Sequence, residues 1–247
     1  MKIQILKLKD NTDKFTMKKN KTFDIPFRLL IVGKTGMGKS NILASMLLQD
    51  NKEFYRNDFE GDRIFIFTGS PSDNKLKIIR KELDIPDENV FKGYDEEAIE
   101  VIYDMMVEEY NEAIEEKEKP KPFLFIFDDL GFTGSMKGQE KESQLNMLFL
   151  NSRKYLGNIC VLLQKYSDAG TSIRENASGL ILGKSSNKQI DLIEADHNYI
   201  RGKDSKKIFR DMIIKETEKP FSFLIINFSK PELYFDKNFE PIKFEEK

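Results

Sequence analysis

The sequence predicts an α/β protein with a mostly parallel central sheet, helices on both faces and an antiparallel hairpin at a C-terminal edge. Short apolar runs rich in β-branched and aromatic residues alternate with helical patterns, which is typical of strands buried on both faces of a parallel sheet. The five runs of this kind cover residues 28–32, 63–67, 123–127, 159–163 and 180–182. Two later runs, over residues 221–228 and 232–235, lie close enough in the chain to predict the hairpin.

The composition excludes several classes of protein. The 247 residues carry 40 Lys and Arg against 42 Asp and Glu, so the net charge is -2 and any contact with nucleic acid must be local. The single cysteine, Cys160, and the single histidine, His197, exclude a disulfide framework and a cysteine- or histidine-rich metal site. No segment is long and apolar enough for a membrane span or a signal peptide. We therefore expect an intracellular protein in a reducing compartment.

The charge pattern predicts two regions. Residues 1–22 carry seven lysines against two aspartates, so we expect a lysine-rich N-terminal arm over residues 1–25. Such an arm contacts phosphate or a neighbouring subunit, or else it lies loosely in solvent. No repeat, linker or break in composition follows it, so residues 26–247 are expected to form one domain.

A phosphate-binding motif follows the first strand. The stretch matches G-x-x-x-x-G-K-[ST], and a helical run comes directly after it, as this motif requires. Its residues are Gly33, Lys34, Thr35, Gly36, Met37, Gly38, Lys39 and Ser40. The glycines let backbone N–H groups surround an anion, Lys39 balances the β- and γ-phosphates, and the Ser40 hydroxyl suits a magnesium ion. This pattern predicts that the protein binds a nucleoside triphosphate in an α/β domain of the P-loop class.

Acidic and amide side chains end two further strands. Asp128 and Asp129 follow the third apolar run, so Asp128 is expected to hold magnesium and Asp129 to orient or deprotonate the attacking water. The two carboxylates could instead form the turn that follows. Gln164 ends the fourth run, where a strand inserted between the loop strand and the Asp128 strand would place a sensor of the γ-phosphate; a plain solvent-facing strand end is the alternative.

Two stretches of the sequence resemble motifs of GTPases. Residues 128–131 also match D-x-x-G, and residues 187–191 nearly match the guanine-reading N-K-x-D. In the second stretch, however, the carboxylate of Asp191 comes one residue too late and does not follow an apolar strand. The sequence therefore favours ATP over GTP.

Four segments together resemble one superfamily. These segments, residues 33–40, 123–129, 153–164 and 172–177, are similar in order and type to the FtsK–HerA superfamily of ring-forming, DNA-translocating ATPases. Within that superfamily they look most like the genome-packaging ATPases of poxviruses, other nucleocytoplasmic large DNA viruses and virophages. The resemblance covers about residues 26–190, and its specific part is an Arg, an apolar strand ending in Gln, and then Ile-Arg-x-Asn-Ala.

The resemblance implies a RecA-like core with an additional strand and ATP hydrolysis at the interfaces of a pentameric or hexameric ring. Double-stranded DNA would pass through the ring without sequence readout, with capsid or portal-vertex proteins as further partners. ATP and Mg²⁺ are the implied cofactors, with Lys39 and Ser40 at the phosphates and the metal, Asp128 at the metal, and Gln164 as the sensor. Asp129 stands where FtsK-like pumps carry Glu.

The resemblance also implies an arginine that acts on a neighbouring subunit's nucleotide. Arg153 and Arg174 are the two candidates, and a surface ion pair is the alternative for each. For DNA contact we expect residues 133–141, with Lys137 and Lys141, ahead of a second basic stretch. The second stretch contains Lys203, Lys206, Lys207 and Arg210.

Two functions of other classes stay open at this point: a P-loop nucleoside or nucleotide kinase, and a nucleotide-dependent switch protein. The viral resemblance further implies a location in the host-cell cytoplasm, at the viral factory, and in the virion.

Overall fold

An eight-stranded sheet forms the centre of the protein in a computed structural model, which describes residues 17–130 and 143–244. The strands are β1 (Arg28–Val32), β2 (Ile64–Thr68), β3 (Val90–Lys92), β4 (Phe123–Asp128), β5 (Gly157–Leu163), β6 (Gly179–Leu182), β7 (Leu224–Asn227) and β8 (Tyr234–Phe235). Their order across the sheet is β3-β2-β4-β5-β1-β6-β7-β8. The first six of that order are parallel, and β7 and β8 add the predicted antiparallel edge.

Helices cover both faces of the sheet. They are α1 (Lys39–Leu48), α2 (Asn74–Glu82), α3 (Glu96–Glu115), α4 (Gln144–Asn151), α5 (Thr171–Asn176), α6 (Asn187–His197) and α7 (Ser205–Thr217). Apolar side chains of α1 and α2 pack on one face, and those of the other five helices pack on the other. Because both faces are covered, β2, β4 and β5 are buried along their whole length, which explains their continuous apolar runs.

The additional strand lies where the sequence predicted it. Strand β5 is hydrogen-bonded between β1 and β4, with Val32 opposite Leu163 and Asp128 opposite Leu162. The carboxyl ends of these three strands therefore lie level at one edge of the sheet. The predicted fold class, an additional-strand α/β P-loop fold with an antiparallel C-terminal edge, is confirmed.

The structure adds one strand and shifts the ends of others. Strand β3 has three residues, and only Val90 and Phe91 in it are apolar, which is too short a run to identify from sequence. Strand β7 begins at Leu224, because Phe221 has a positive φ of 57° that breaks the extended conformation. Strand β5 begins two residues earlier than predicted and includes the polar residue Asn158.

Asn158 belongs in the strand because all its polar atoms find partners in the core. Its side chain has no exposed surface. The amide group donates to the carbonyl oxygens of Phe123 at 3.1 Å and Leu156 at 2.9 Å, and its oxygen accepts from the N–H of Phe27 at 2.9 Å. One side chain thus fixes the starts of β4 and β5 and the chain leading into β1.

The segment before β1 packs against the rest of the domain. Phe23 and Ile25 are buried, and Lys18 forms an ion pair of 2.6 Å with Asp58. The side chain of Asn227, at the end of β7, donates to the carbonyl oxygen of Thr22 at 2.7 Å. The boundary predicted between residues 25 and 26 stays a prediction, since residues 1–16 of the arm lie outside the described part. In the part of the chain that the structure describes, no helix has the length and apolar character needed to cross a membrane.

We predict that Asn158→Ala lowers the free energy of unfolding by about 2–4 kcal/mol, because it leaves buried N–H and C=O groups without partners. Urea denaturation followed by circular dichroism would measure the change. The matched control is Asn57→Ala at an exposed position, for which a change within about 0.5 kcal/mol is expected. Equal stabilities for the two variants would contradict the role given to Asn158.

Candidate functional site

The loop over residues 33–40 joins the carboxyl end of β1 to α1 in a shape suited to an anion. Gly36 and Gly38 have φ values of 83° and 97°, which lie in the left-handed region that glycine adopts without strain. Helix α1 begins at Lys39 with no side chain capping its first turn and no acidic residue in it. The N–H groups of that turn are therefore available to phosphate oxygens, and the helix dipole favours negative charge there.

The Lys39 side chain folds back over this loop. Its Nζ donates to the carbonyl oxygen of Gly33 at 2.8 Å. Burial lowers the pKa of Lys39, while the charges of Asp128 and Asp129 oppose that shift. The ammonium group thus lies between the loop and the two carboxylates, where it can neutralise the terminal phosphates of a nucleotide. Lys34, Thr35 and Gly36 are exposed, and Ser40 is partly buried in the first turn of α1.

Asp128 is a buried carboxylate at the end of β4. Its side chain is 8% exposed, and among the residues described here none hydrogen-bonds or ion-pairs with it. Burial raises the pKa of Asp128 to about 6, the neighbouring charge of Asp129 adds to the rise, and Lys39 opposes it. A buried carboxylate without a protein partner has the character of a cation ligand, so the residues present fit a magnesium ion held with Ser40.

Asp129 and Gln164 contact each other at the same edge. The Gln164 amide, one residue after β5, donates to Oδ1 of Asp129 at 2.9 Å. Asp129 has a positive φ of 55°, a conformation that Asp tolerates better than most residues and that is often found at functional sites. The structure thus brings together the two side chains predicted to handle the attacking water, beside Lys39 and Asp128.

Arg153 lies at the amino ends of the strands, away from the edge that carries the phosphate-binding loop. It is exposed in the short 3₁₀ segment that precedes β5, and β5 has seven residues, so about 20 Å of strand separate it from the carboxyl edge. Arg28 is close enough that its pKa is lowered, mainly by burial and further by the Arg153 charge. Arg153 is therefore too far from the phosphate-binding loop of its own chain to contact a nucleotide bound there.

Arg174 is held inside its own subunit. Its Nε lies 3.0 Å from Oδ2 of Asp196 without being aligned with it, and its guanidinium lies 5.2 Å from the ring centre of Tyr166. Only 13% of the Arg174 side chain is exposed. The structure thus gives Arg174 the intramolecular ion pair that was the alternative to a role at a subunit interface, and it would have to leave Asp196 to reach a neighbour.

Helix α6 fixes the turn that follows Gln164. The hydroxyl of Tyr166 donates to Asp196 at 2.9 Å and lies 2.6 Å from Nε2 of His197. Burial lowers the pKa of His197 to about 4, so its ring is neutral and donates from Nε2 to the hydroxyl. Gln189 exchanges two hydrogen bonds with Ser167. The Gln164 backbone is therefore anchored from both sides, by β5 and by α6.

Of the two stretches predicted to contact DNA, residues 133–141 with Lys137 and Lys141 lie outside the described residues. The other lies before and along α7. There Lys206 is 3.7 Å from Glu194, and Arg210 forms an ion pair with Asp191. Lys203 and Lys207 are exposed. Two of the four basic groups are thus partly neutralised by carboxylates of α6.

Two aromatic residues beside the loop, Phe221 and Phe223, were not predicted from the sequence as part of the site. Phe221 and Phe223 belonged to a predicted strand, whereas the structure places them just before β7, with the Phe221 ring against Gly38. The predicted hairpin contained the necessary signal. An antiparallel strand next to β6 must begin at the edge where β6 ends, which is the edge that carries the phosphate-binding loop.

The buried charge of Asp128 predicts a pH-dependent gain in stability for Asp128→Asn. The folded-state pKa of about 6 lies above the ordinary value of 3.8, so the carboxylate destabilises the fold above pH 6 and the cost disappears as pH falls toward 4. Without magnesium or nucleotide, we expect the variant to be more stable than the parent by about 2–3 kcal/mol at pH 7.5 and by only about 1 kcal/mol at pH 4.5.

Urea titrations with a chelator at the two pH values would measure this difference, with Asp62→Asn at an exposed position as the control. A destabilised Asp128→Asn at pH 7.5 would contradict the unpaired state of the carboxylate.

Comparison with known proteins identifies the family. A family model described as "Poxvirus A32 protein" matches residues 14–232. Comparison with curated protein sequences finds no significant match. The family match does not favour the kinase or switch alternatives.

Solved structures share the fold. The genome packaging NTPase B204 of Sulfolobus turreted icosahedral virus 2, in complex with AMPPCP, is 15% identical with a TM-score of 0.53, covering 83% of this chain and 93% of that one. The same protein with AMP gives 14% identity and a TM-score of 0.55, covering 88% and 98%. EssC (ATPases 2 and 3) from Geobacillus thermodenitrificans is 16% identical with a TM-score of 0.57, covering 90% of this chain and 41% of that one.

At these identities the structural likeness shows the fold, while the family match spans most of the sequence. The predicted relationship to the ATPases of poxviruses is confirmed, and the chain belongs to the poxvirus A32 protein family.

Proposed function

We propose that this protein hydrolyses ATP with Mg²⁺ and uses the free energy to move double-stranded DNA into a viral capsid. The observation that carries the proposal is the set of side chains at the carboxyl edge of the sheet. Lys39 lies on the phosphate-binding loop, Asp128 ends β4, and Gln164 contacts Asp129 across the ends of β4 and β5. Membership of the A32 family supports the packaging role.

Each residue has a distinct part in the proposed hydrolysis. Lys39 leaves Gly33 to neutralise negative charge on the terminal phosphates, where the glycine backbone and the start of α1 hold them. Asp129 orients the attacking water and accepts its proton. Gln164 is held by that carboxylate before the nucleotide arrives, and it moves to contact the γ-phosphate and the water.

Ser40 and Asp128 would hold the magnesium ion. When bound, the ion would supply positive charge that stabilises the negative charge of the terminal phosphates. Asp128 must lose its proton for this role. Its raised pKa therefore means that the site binds the cation less tightly below about pH 6.

Movement of DNA requires several subunits in a ring, and we propose a pentamer or hexamer. Contacts to the DNA backbone rather than to base edges would make the movement independent of sequence. The basic residues at 137 and 141, and those that precede and lie along α7, are candidate contacts. Capsid or portal-vertex proteins would receive the ring, at the viral factory in the host-cell cytoplasm and in the virion.

We predict that long double-stranded DNA raises steady-state ATP hydrolysis several-fold at low salt, and that the increase disappears as salt rises, because counterions compete for phosphate contacts. Lys39→Ala should lower hydrolysis at least about a hundredfold with and without DNA, since it removes charge stabilisation in the transition state. A matched lysine control is Lys52→Ala, at an exposed position after α1.

The assay should be run on a preparation whose oligomeric state has been measured. Lys39-dependent hydrolysis that DNA does not change, in an oligomer, would contradict the translocase and leave an ATPase with another task.

We further predict that Arg153 acts on the nucleotide of a neighbouring subunit, because it is exposed and far from its own loop. Lys39→Ala and Arg153→Ala should each be inactive alone. Mixed in equal amounts, they should regain activity, because about a quarter of the interfaces then combine an intact loop with an intact arginine. Hydrolysis by the mixture after exchange of subunits is the measurement.

The same mixture made with Arg174→Ala tests the other candidate. Recovery with Arg174→Ala and none with Arg153→Ala would reverse the assignment. An active Arg153→Ala oligomer would remove Arg153 from the mechanism.

A further inference from the structure

A cavity of about 300 Å³ opens beside the phosphate-binding loop. One wall is a face of α1, and the other is formed by the segments before β7 and after β8. Met37 and Gly38 of the loop form part of its lining, so the cavity is continuous with the site for the phosphates. Its volume lies at the lower end of the roughly 300–1,000 Å³ typical of small-molecule sites.

The topology places an aromatic ring at the mouth of this cavity. Strand β7 runs antiparallel to β6 with Leu224 opposite Leu182, so the residues just before β7 lie at the carboxyl edge of the parallel strands. A Cβ built on Gly38 would lie 3.3 Å from Cδ1 of Phe221. The aromatic ring therefore lies directly against the phosphate-binding loop.

Both the exposure and the backbone conformation of Phe221 are unfavourable for the stability of the fold. Phe221 is 66% exposed, and its φ of 57° is unusual for a bulky side chain. Neither feature helps the fold, since the ring buries little area and the backbone is strained. Strained residues with exposed apolar surface cluster at ligand sites, where the ligand covers the surface. The flat face of the ring suits another flat, weakly polar group.

The remaining lining suits a neutral heteroaromatic group with hydrogen-bonding edges. Ile42, Ile181 and Phe239 supply apolar surface, while Asn41 and Gln49 supply amides that can both donate and accept. Among residues 17–130 and 143–244, the only charged residue in the lining is Lys237, and none of the lining residues in those ranges is a carboxylate. A cationic ligand would therefore find no counter-charge. A nucleobase presents what these walls accept: two apolar faces and an edge of donors and acceptors.

We propose that this cavity binds the base and ribose of the nucleotide whose phosphates occupy the loop, with Phe221 stacked on the base. The inference rests on the proposed binding of ATP and adds the part of the protein that recognises the nucleoside. Asn41 directly follows Ser40 on α1, so the chain passes from phosphate contacts to base contacts within two residues.

The test separates the base from the phosphates by comparing ATP with inorganic tripolyphosphate, each with magnesium, by calorimetry. Phe221→Ala should weaken ATP binding about ten- to a hundredfold, the usual effect of removing a stacked aromatic ring, and leave tripolyphosphate binding unchanged. Tyr199→Ala, which removes an aromatic ring that is 56% exposed elsewhere, should change neither. Lys39→Ala should weaken both.

A second variant gives a direct signal. The chain contains no tryptophan, so Phe221→Trp introduces a single tryptophan at the proposed stacking position, and its emission can be excited separately from that of the eight tyrosines. ATP should change its emission while tripolyphosphate should not, and the variant should keep the parent's ATP affinity within about threefold because the larger ring still stacks.

The outcomes distinguish this inference from the function on which it rests. If Phe221→Ala weakens ATP and tripolyphosphate equally, the ring supports the loop and the base subsite is wrong. If it weakens neither, the base binds elsewhere. If the parent binds neither compound, or if Lys39→Ala binds both normally, the proposed nucleotide site itself fails and the base subsite fails with it.

Discussion

The parallel register of β1, β4 and β5 is the constraint on which the site depends. Val32 pairs with Leu163, and Asp128 pairs with Leu162, so these three strands end within one residue of the same level. The loop after β1, the carboxylate of Asp128 and the amide of Gln164 lie together for that reason alone. A slip of one residue would turn each side chain to the opposite face of the sheet. The apolar runs that fill both faces hold the register, so the core of the protein also sets the geometry of the chemistry.

The parts that could be predicted from the sequence are those that follow from local patterns. Continuous apolar runs identified the central strands, and the glycine-rich motif identified the loop, because both signals lie within a few neighbouring residues. Strand β3 and the start of β5 could not be predicted in this way. Val90 and Phe91 are too few to form a pattern, and Asn158 is stable in a strand only because of Phe27, Phe123 and Leu156, which are distant or not distinctive in sequence.

For the same reason, only some of the site residues could be predicted from the sequence. The motifs gave Lys39, Ser40 and Asp128 by spacing. The contact between Asp129 and Gln164 depends on pairing of β4 with β5, and the position of Phe221 depends on the direction of β7. The sequence offered both arginines as candidates and only slightly favoured Arg153, whereas the fold gives Arg174 a carboxylate partner and leaves Arg153 exposed at the amino ends of the strands. The contacts and the exposure of these side chains depend on their neighbours in the folded protein, which residue type alone does not determine.

Several residues at this edge are held at a cost to stability. The carboxylate of Asp128 is buried and has no hydrogen-bond or ion-pair partner among the residues that the structure describes, and Asp129 and Phe221 have left-handed backbone conformations. The hydrogen bonds of the Tyr166 hydroxyl and of Gln189 anchor the turn next to this edge and help to hold these states. A nucleotide and a cation bound at this edge would cover or neutralise these groups and so offset part of the cost.

The strand order also has a consequence for how the protein is made. Strand β1 is the first to leave the ribosome, but its two neighbours are β5 and β6, and the bond from Phe27 to Asn158 spans 131 residues. At usual rates of synthesis the first strand waits on the order of ten seconds for its partners. The bond from Asn227 to Thr22, which spans 205 residues, closes later still. During that interval an apolar strand and a glycine-rich loop are exposed in the cell without a sheet to hold them, so the nascent chain should depend on chaperones until nearly the whole sequence has been translated.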